Sequence, residues 1–269
     1  MGAEDRGAGQ EPIRLEIDGD VAVLVLDDPP LNLFTERTFI AMRTARDQVA
    51  SSGARAMVFR AEGDIFTGGV DVGEVFEGVE GSEQGRRLAT DGIRELQAFE
   101  SLEIPTLALV HGLCLTAGLE ASLGCDMIWA AEGSQFGLVE RVVGLTPFGG
   151  GVQRMAERAG PARAREFVMT GGLYGAETML SWGVINRVLP AEELVDKGMR
   201  FAHRLAAGPT AAHAATKRIV REYLDHGIEA ADALIPDVAA PLFETEDMRA
   251  AVASFLADGP GKFTGYKGK

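Results

Sequence analysis

The order of apolar segments is the feature that most constrains what this chain can fold into. Over residues 12–190, short apolar runs typical of strands alternate with segments of helical periodicity, whereas residues 191–269 have the composition of helices almost throughout. Alternating strands and helices are typical of an α/β core. The sequence therefore predicts a flexible tail over residues 1–11, an α/β core over residues 12–190 and a helical C-terminal region over residues 191–269.

The core begins with a predicted β-hairpin. Residues Ile13–Ile17 alternate between apolar and polar side chains, Asp18–Asp20 has the composition of a tight turn, and Val21–Leu26 is a second apolar run. This pattern is typical of two antiparallel strands joined by a short loop. Thr35 is suited to cap a helix, which we expect to extend to about Ala50.

The charge balance narrows the range of partners. The 269 residues include 26 Lys and Arg residues against 40 Asp and Glu residues, which gives a net charge of −14. Such a field repels nucleic acids and anionic membrane surfaces, so neither is an expected partner. An anionic substrate is compatible with this charge where local Lys or Arg residues receive it.

Segments that would indicate a membrane, a disulfide framework or a metal are absent from the sequence. The uncharged run Ile104–Leu119 is shorter than the ~20 residues of a membrane span and contains Pro105, so we expect a buried segment. Cys114 and Cys125 form neither a disulfide framework nor a metal motif, which favours a reducing compartment and hence the cytoplasm. The histidines lack the spacing of metal ligands, and no P-loop, nucleophile elbow or dinucleotide fingerprint occurs. We therefore expect no metal site.

Within residues 104–131, only Glu120 and Asp126 carry a charge. Burying a carboxylate costs several kcal/mol unless the group is paired, hydrogen-bonded or protonated. Glu120 lies in a short predicted helix over Ala117–Gly124, and two interpretations are open. Either this helix face is exposed and Glu120 only favours the helix dipole, or Glu120 lies in an apolar cleft and is available for acid–base work. Asp126 is interpreted as a turn or cap residue.

Glu140, beside the uncharged run Val142–Gln153, is open to the same interpretations: a surface carboxylate or a catalytic one. Two loops of small residues favour the catalytic interpretation. Leu115–Gly118 places backbone N–H groups at a helix start, and Thr67–Asp71 follows a strand, although the second loop is also compatible with a plain strand-to-helix turn. Such N–H groups can hold a developing oxyanion. Two such loops with two carboxyl groups suit enolate chemistry.

Taken in order, these segments resemble the enoyl-CoA hydratase/isomerase family, also called the crotonase family. The resemblance covers roughly residues 12–266 and rests on an ordered series of motifs rather than on one. The motifs are Asp28–Asn32, Phe66–Val72, Gly112–Glu120, Cys125-Asp126, Phe136–Glu140, Gly144–Pro147, Gly150–Arg154, Gly183–Val188 and Phe243–Asp247.

The resemblance implies an α/β fold built as a crotonase-like spiral of ββα units, with a helical C-terminal region that forms trimers, often paired as hexamers. It implies acyl-CoA thioester substrates and neither a metal nor a redox cofactor. Glu120 and Glu140 match the two catalytic glutamates of the hydratases, and the N–H groups of Val70 and Ala117 match the two oxyanion-hole donors. The further substrate-binding positions that the resemblance implies are Gly68, Asp71, Val72, Gly73 and Gly118.

The reaction implied by the resemblance is syn hydration of a trans-2-enoyl-CoA, with water between the two carboxyl groups. Glu140 would exchange the proton at C2, and Glu120 would orient and activate the water that attacks C3. Three alternatives remain open. They are an enoyl-CoA isomerase that uses Glu140 alone, another crotonase-type reaction such as hydrolysis or decarboxylation, and a non-catalytic thioester-binding protein.

Several positions near the predicted site depart from the usual hydratase pattern. Thr116 and Ala117 stand where glycines are usual, and their side chains tighten the space beside the thioester. Val70 is bulkier than the usual Ala and narrows the acyl path. Val139 replaces the Pro that usually precedes the second glutamate. These departures predict a tighter space beside the thioester and a narrower acyl path than is usual in the family.

Overall fold

A computed structural model describes residues 11–269, so the predicted tail over residues 1–11 lies outside the described residues apart from Glu11. The strands are β1 (Ile13–Asp18), β2 (Val21–Leu26), β3 (Ala56–Ala61), β4 (Thr106–Val110), β5 (Leu113–Leu115), β6 (Met127–Ala131), β7 (Gln135–Gly137), β8 (Tyr174–Gly175) and β9 (Arg187–Leu189). The helices are α1 (Glu36–Ser51), α2 (Val72–Phe76), α3 (Gly81–Glu100), α4 (Thr116–Leu123), α5 (Gly151–Ala159), α6 (Pro161–Thr170), α7 (Ala176–Ser181), α8 (Ala191–Ala206), α9 (Thr210–His226), α10 (Ile228–Ala239) and α11 (Glu246–Asp258). Short 3-10 helices span Glu140–Val143 and Ala240–Glu244.

The predicted N-terminal hairpin and the helix after it are confirmed. β1 and β2 pair antiparallel, with Ile13 opposite Leu26 and Asp18 opposite Val21. α1 begins directly after Thr35, whose hydroxyl accepts a hydrogen bond from the Thr38 backbone N–H at 3.2 Å. The side-chain cap satisfies one of the N–H groups that every helix start leaves without an intrahelical partner.

The main sheet has six strands in the order β1-β2-β3-β4-β6-β9, and every pair except β1·β2 is parallel. Its central strands are buried on both faces, as is usual for parallel sheets covered by helices. All six residues of β2 are buried. Ala22 and Leu24 lie in the same apolar cluster as Met42 of α1, whereas Val21 and Val23 lie in the cluster that contains Ala202 of α8. Two helical layers therefore enclose the sheet.

A smaller sheet of β5, β7 and β8 brings the two candidate glutamates to one edge. β5 and β7 run parallel, with Leu115 opposite Gly137. α4, which carries Glu120, begins directly after β5, and the 3-10 helix that starts at Glu140 follows β7 closely. Because parallel strands end at the same edge, both segments leave the sheet side by side.

Residues 191–269 are helical as predicted, but the helices differ in how they pack. α8 lies on the main sheet and buries Leu194 and Ala202, whereas α9, α10 and α11 bury few side chains. α10 carries Pro236 inside the helix. The exposed large apolar residues of this region are Val195, Val220, Tyr223, Leu224, Ile228, Ile235, Phe243, Val252, Phe255 and Leu256.

The uncharged segment that was tested as a membrane span is a buried part of the sheet, as predicted. All five residues of β4 are buried. Among residues 11–269, no helix is long and apolar enough to cross a membrane.

Candidate active site

The segment of residues 66–71 is held on both sides by backbone hydrogen bonds. On one side, the Phe34 N–H donates to the Gly69 carbonyl at 2.8 Å, and the Asp71 N–H donates to the Phe34 carbonyl at 3.0 Å. On the other side, Thr67 pairs with the strand β5 around Cys114. Because Gly69 and Asp71 both face Phe34, the N–H of Val70 between them points away, toward the start of α4.

Asn32 fixes the chain that supports this segment. Its backbone adopts a φ of 48°, and its side-chain amide donates to the carbonyls of Glu62 and Ile65 at 2.8 and 3.0 Å. The Asn32 carbonyl in turn accepts a hydrogen bond of 2.6 Å from the Thr67 hydroxyl. Asn tolerates the left-handed region better than most residues. The motif Asp28–Asn32 therefore acts as a support for the 66–71 segment, a role that the sequence did not reveal.

The two predicted oxyanion-hole donors meet at the start of α4. The Val70 N–H donates to the hydroxyl oxygen of Thr116 at 3.0 Å, and Ala117 follows Thr116 directly. Leu115, at the N-cap position, makes no side-chain hydrogen bond to the first N–H groups of α4. The structure thus brings Val70 and Ala117 together, with the Thr116 side chain between them, and their role as oxyanion donors stays a prediction.

The other predicted substrate-binding residues surround this point in two environments. Val72 and Gly73 are exposed at the start of α2, where Asp71 caps the helix by accepting a hydrogen bond from the Glu74 N–H at 3.0 Å. Gly68 and Gly118 are packed against protein instead. A Cβ atom on Gly118 would lie 2.2 Å from the Thr67 side chain. Gly118 therefore allows α4 to approach the 66–71 segment, and direct contact of these five residues with substrate stays a prediction.

Glu120 is buried, with 8% of its surface exposed, so the interpretation of an exposed helix face is wrong. Its Oε1 atom accepts a hydrogen bond of 2.8 Å from the Gly151 N–H. A Cβ atom on Gly149 would lie 2.6 Å from Oε2, so only glycine fits this close approach. Burial raises the pKa of Glu120, while the N–H groups of Gly151, Gly149 and Gly150 act in the opposite direction.

A buried ion pair supports the glycine run 149–151. Arg154, which is 7% exposed, forms a two-pronged pair with Glu100 and donates through Nη1 to the Gly150 carbonyl at 3.2 Å. Glu100 also forms an ion pair with Arg221 of α9. The positive charge of Arg154 helps to lower the pKa of Glu120 against the effect of burial. Sequence reasoning missed this role of Glu100 and Arg154, although Arg154 belongs to the motif Gly150–Arg154.

Glu140 lies at the start of its 3-10 helix in a contrasting environment. Its pKa is raised to about 7, mainly by burial and further by the nearby charge of Glu120. Its Oε2 atom is buried, and none of the described residues forms a hydrogen bond with it. A buried polar atom without a protein partner is unusual, and a catalytic role is one physical explanation for it. The geometry therefore offers one fixed carboxylate, Glu120, beside one carboxyl group that is able to hold or release a proton near neutral pH.

The described residues contain no group of three or more His, Cys, Asp or Glu side chains that is arranged to hold a metal ion. The two cysteines, Cys114 and Cys125, are buried and free. Burial raises the pKa of the Cys125 thiol to about 12. These thiols are therefore protonated packing residues rather than nucleophiles. With the two thiols excluded, Glu120 and Glu140 are the candidate acid–base groups of the site.

Comparison with known proteins shows the family and the fold to which this chain is similar. Residues 16–266 match the family model described as "Enoyl-CoA hydratase/isomerase". A carnitinyl-CoA dehydratase of Salmonella arizonae is 32% identical over 81% of this chain and 84% of its own length. A short-chain-enoyl-CoA hydratase of Clostridium acetobutylicum is 27% identical over 95% of this chain and 97% of its own length. The crystal structure of an enoyl-CoA hydratase from Mycobacterium smegmatis superposes with a TM-score of 0.85 at 26% identity, over 92% of this chain and 97% of that one.

The chain belongs to the enoyl-CoA hydratase/isomerase family. The predicted family, the predicted crotonase-like α/β fold and the prediction of an enzyme of this class are thereby confirmed.

Proposed function

We propose that this enzyme adds water reversibly across the C2=C3 double bond of a trans-2-enoyl-CoA. The observation that carries the proposal is the contrast between the two carboxyl groups. Glu120 is fixed by the Gly151 N–H, whereas Glu140 Oε2 is buried without a partner among the described residues. The names of two relatives, a hydratase and a dehydratase, support the addition or removal of water as the reaction.

In the proposed reaction, water forms a bond through its oxygen to C3 and gives a proton to the Glu120 carboxylate. The π electrons of the double bond move toward the thioester, so its oxygen becomes enolate-like and is held by hydrogen-bond donors at the start of α4. C2 takes a proton from Glu140. The product gains one water, and proton exchange with solvent restores Glu120 as carboxylate and Glu140 as acid.

The electrostatics of the site support this assignment of roles. A pKa of about 7 leaves a substantial fraction of Glu140 protonated at neutral pH, which a proton donor requires. Glu120 accepts a proton more readily than an ordinary glutamate, because burial raises its pKa. The backbone N–H groups of residues 149–151 keep its carboxylate in one orientation toward the water.

The proposal includes no metal or redox cofactor, because only protons and water move, and coenzyme A enters as part of the substrate. We further propose a homotrimer or a dimer of trimers in the cytoplasm, acting in fatty acid metabolism. The exposed apolar residues of α9, α10 and α11 support subunit contacts, since a soluble monomer exposes few large apolar patches. Light scattering coupled to gel filtration measures the subunit number.

The test is turnover of crotonyl-CoA by the purified protein, with the product identified by mass spectrometry. We expect a gain of one water, and kcat reduced by about 10²–10⁴-fold in Glu120→Gln and in Glu140→Gln. Glu132→Gln, which neutralises an exposed glutamate in the loop before β7, is the matched control and should keep wild-type activity. Double-bond migration in a 3-enoyl-CoA without a mass gain would replace hydration by isomerisation, and binding without turnover would overturn the proposed activity.

A further inference from the structure

Thr116 occupies a backbone conformation that is unfavourable for a β-branched residue. Its φ is 45°, in the left-handed region that favours glycine, and it is the first residue of α4. The residue is 7% exposed, so no solvent-facing role accounts for it. A glycine here would adopt the same backbone without strain. The chain therefore keeps a strained threonine at the entrance to the candidate oxyanion hole, and strain of this kind concentrates at functional sites.

The Thr116 hydroxyl lies against the predicted oxyanion donor. Its Oγ1 accepts the hydrogen bond from the Val70 N–H at 3.0 Å. Gly69 makes room for it, because a Cβ atom on Gly69 would lie 2.4 Å from the same oxygen. Thr116 directly precedes Ala117, which carries the other backbone donor that the family resemblance assigns. The Val70 N–H, however, is already engaged.

The hydroxyl proton is the donor that remains. A threonine hydroxyl accepts through two lone pairs and donates through one O–H. Among residues 11–269, the Thr116 hydroxyl accepts from Val70, and no described residue accepts its proton. A hydroxyl that accepts a hydrogen bond becomes a stronger donor, because the two bonds polarise each other. The Val70 N–H is therefore used within the protein, and the Thr116 O–H is the donor that is left for a ligand.

We propose that the Thr116 O–H, polarised by the Val70 N–H, donates directly to the thioester oxygen and forms the oxyanion hole together with the Ala117 N–H. The proton remains on Thr116 throughout, so no bond to hydrogen is broken at this residue. This inference rests on the proposed function for its substrate class, an acyl thioester. It replaces the predicted backbone donor Val70 by a side-chain donor that Val70 supports.

The opposite role for the same contact is that Thr116 competes with substrate for the Val70 N–H. The two roles predict opposite effects of the substitution Thr116→Gly on turnover. If Thr116 competes, Thr116→Gly frees the Val70 N–H and improves thioester binding and turnover. If Thr116 donates, Thr116→Gly removes the O–H nearest the thioester oxygen, the freed Val70 N–H lies farther from that oxygen, and turnover falls with little change in binding. The retained strain favours donation, because a mere competitor would be removed by a glycine that also relieves the backbone.

The test uses infrared difference spectra of bound butyryl-CoA carrying 13C at the thioester carbonyl, a saturated ligand that cannot be hydrated. We expect wild-type protein and Thr116→Ser to lower the carbonyl stretching frequency, and Thr116→Gly to lower it less. With crotonyl-CoA, we expect kcat to fall by about 10²-fold in Thr116→Gly with little change in KM, and to stay within about threefold of wild type in Thr116→Ser. Ala121→Gly, in the same helix, controls for added flexibility and should retain both readouts.

An equal or larger frequency shift in Thr116→Gly would overturn the proposal, and so would a loss of the shift in Thr116→Ser. The infrared readout is independent of hydration. If wild-type protein shows the shift but does not hydrate crotonyl-CoA, the proposed reaction fails while the Thr116 contact is still judged. If wild-type protein does not bind butyryl-CoA, the assigned ligand class fails and the Thr116 proposal falls with it.

Discussion

The two glutamates of the site differ most in how completely the protein satisfies the hydrogen-bonding capacity of each carboxyl group. Glu120 accepts hydrogen bonds from the backbone of residues 149–151, which Arg154 supports from behind. Glu140 is half-buried as a residue, and its buried Oε2 atom has no partner among the described residues. The difference teaches that burial is the main cause that raises the pKa of both groups, while the supply of N–H donors decides which carboxyl group is fixed and which stays available for proton transfer.

Arg154→Met is the substitution with the largest expected effect on this contrast. It leaves Glu100 buried with only Arg221 as a partner and removes the guanidinium bond to the Gly150 carbonyl. Breaking a buried pair from one side costs about 3–5 kcal/mol. Because Glu100 keeps one partner, we expect the free energy of unfolding to fall by about 3 kcal/mol and the Tm to fall by roughly 6–12 °C.

Calorimetry and urea unfolding measure this loss, and the exposed Arg165→Met on α6 is the control for the lost charge. We also expect a lower kcat on crotonyl-CoA, since the support for Glu120 is loosened. A variant with wild-type Tm and wild-type kcat would contradict the assigned role of Arg154.

Gly149→Ala should have a smaller effect that is directed at Glu120. The new Cβ would lie 2.6 Å from Oε2, so the carboxylate or the loop must move. Overpacking of this kind typically costs about 1–3 kcal/mol. Because a misplaced catalytic group lowers the rate strongly, we expect kcat to fall by about 10–100-fold.

Gly175→Ala is the matched control, because Gly175 has an ordinary φ and no atom within 4 Å of the added Cβ. Its activity and Tm should remain at the wild-type level. If Gly149→Ala kept full activity, the close contact between the glycine run and Glu120 would have no catalytic importance.

The smallest expected effect is the pH dependence that Glu140 gives to stability. Its pKa is raised from 4.5 to about 7 on folding, so the folded protein keeps a proton that the unfolded chain releases. The corresponding stabilisation is complete below pH 4.5 and is lost as the pH rises through about 7. In Glu140→Gln this loss is absent.

We therefore expect the unfolding free energy of Glu140→Gln, relative to wild type, to increase from pH 5 to pH 8 in urea titrations. Glu132→Gln should follow the wild-type curve. Parallel curves for Glu140→Gln and wild type would mean that Glu140 titrates like an exposed glutamate.

The sequence predicted local elements of the fold and supplied candidate site residues, whose roles stay predictions, but it predicted only part of the geometry. Period-two and helical patterns located the hairpin and α1, because each depends on neighbours within a few residues. The same local pattern left open whether Glu120 faces solvent or the core. That question is decided by Gly151, which lies 31 positions away in the sequence.

Contacts between distant segments also account for what was missed. The supports supplied by Asn32 and by Glu100 each join residues that are thirty or more positions apart, and neither has a spacing that sequence periodicity could reveal. The Thr116 contact could be predicted from the sequence only in part. The departure from glycine was visible in the sequence, but its hydrogen bond to Val70 depends on how the 66–71 segment meets α4.

The double-sided support of the 66–71 segment also has a consequence for the lifetimes of its hydrogen bonds. The N–H of Asp71 bonds to a backbone carbonyl inside a bridge with Phe34, so it opens to solvent only when that bridge separates. The N–H of Val70 bonds instead to a side-chain hydroxyl, which can rotate away alone. Neighbouring amides one residue apart therefore exchange their hydrogens by different routes: a cooperative local opening for Asp71 and a single side-chain rotation for Val70. We therefore expect the Asp71 amide to exchange more slowly than the neighbouring Val70 amide.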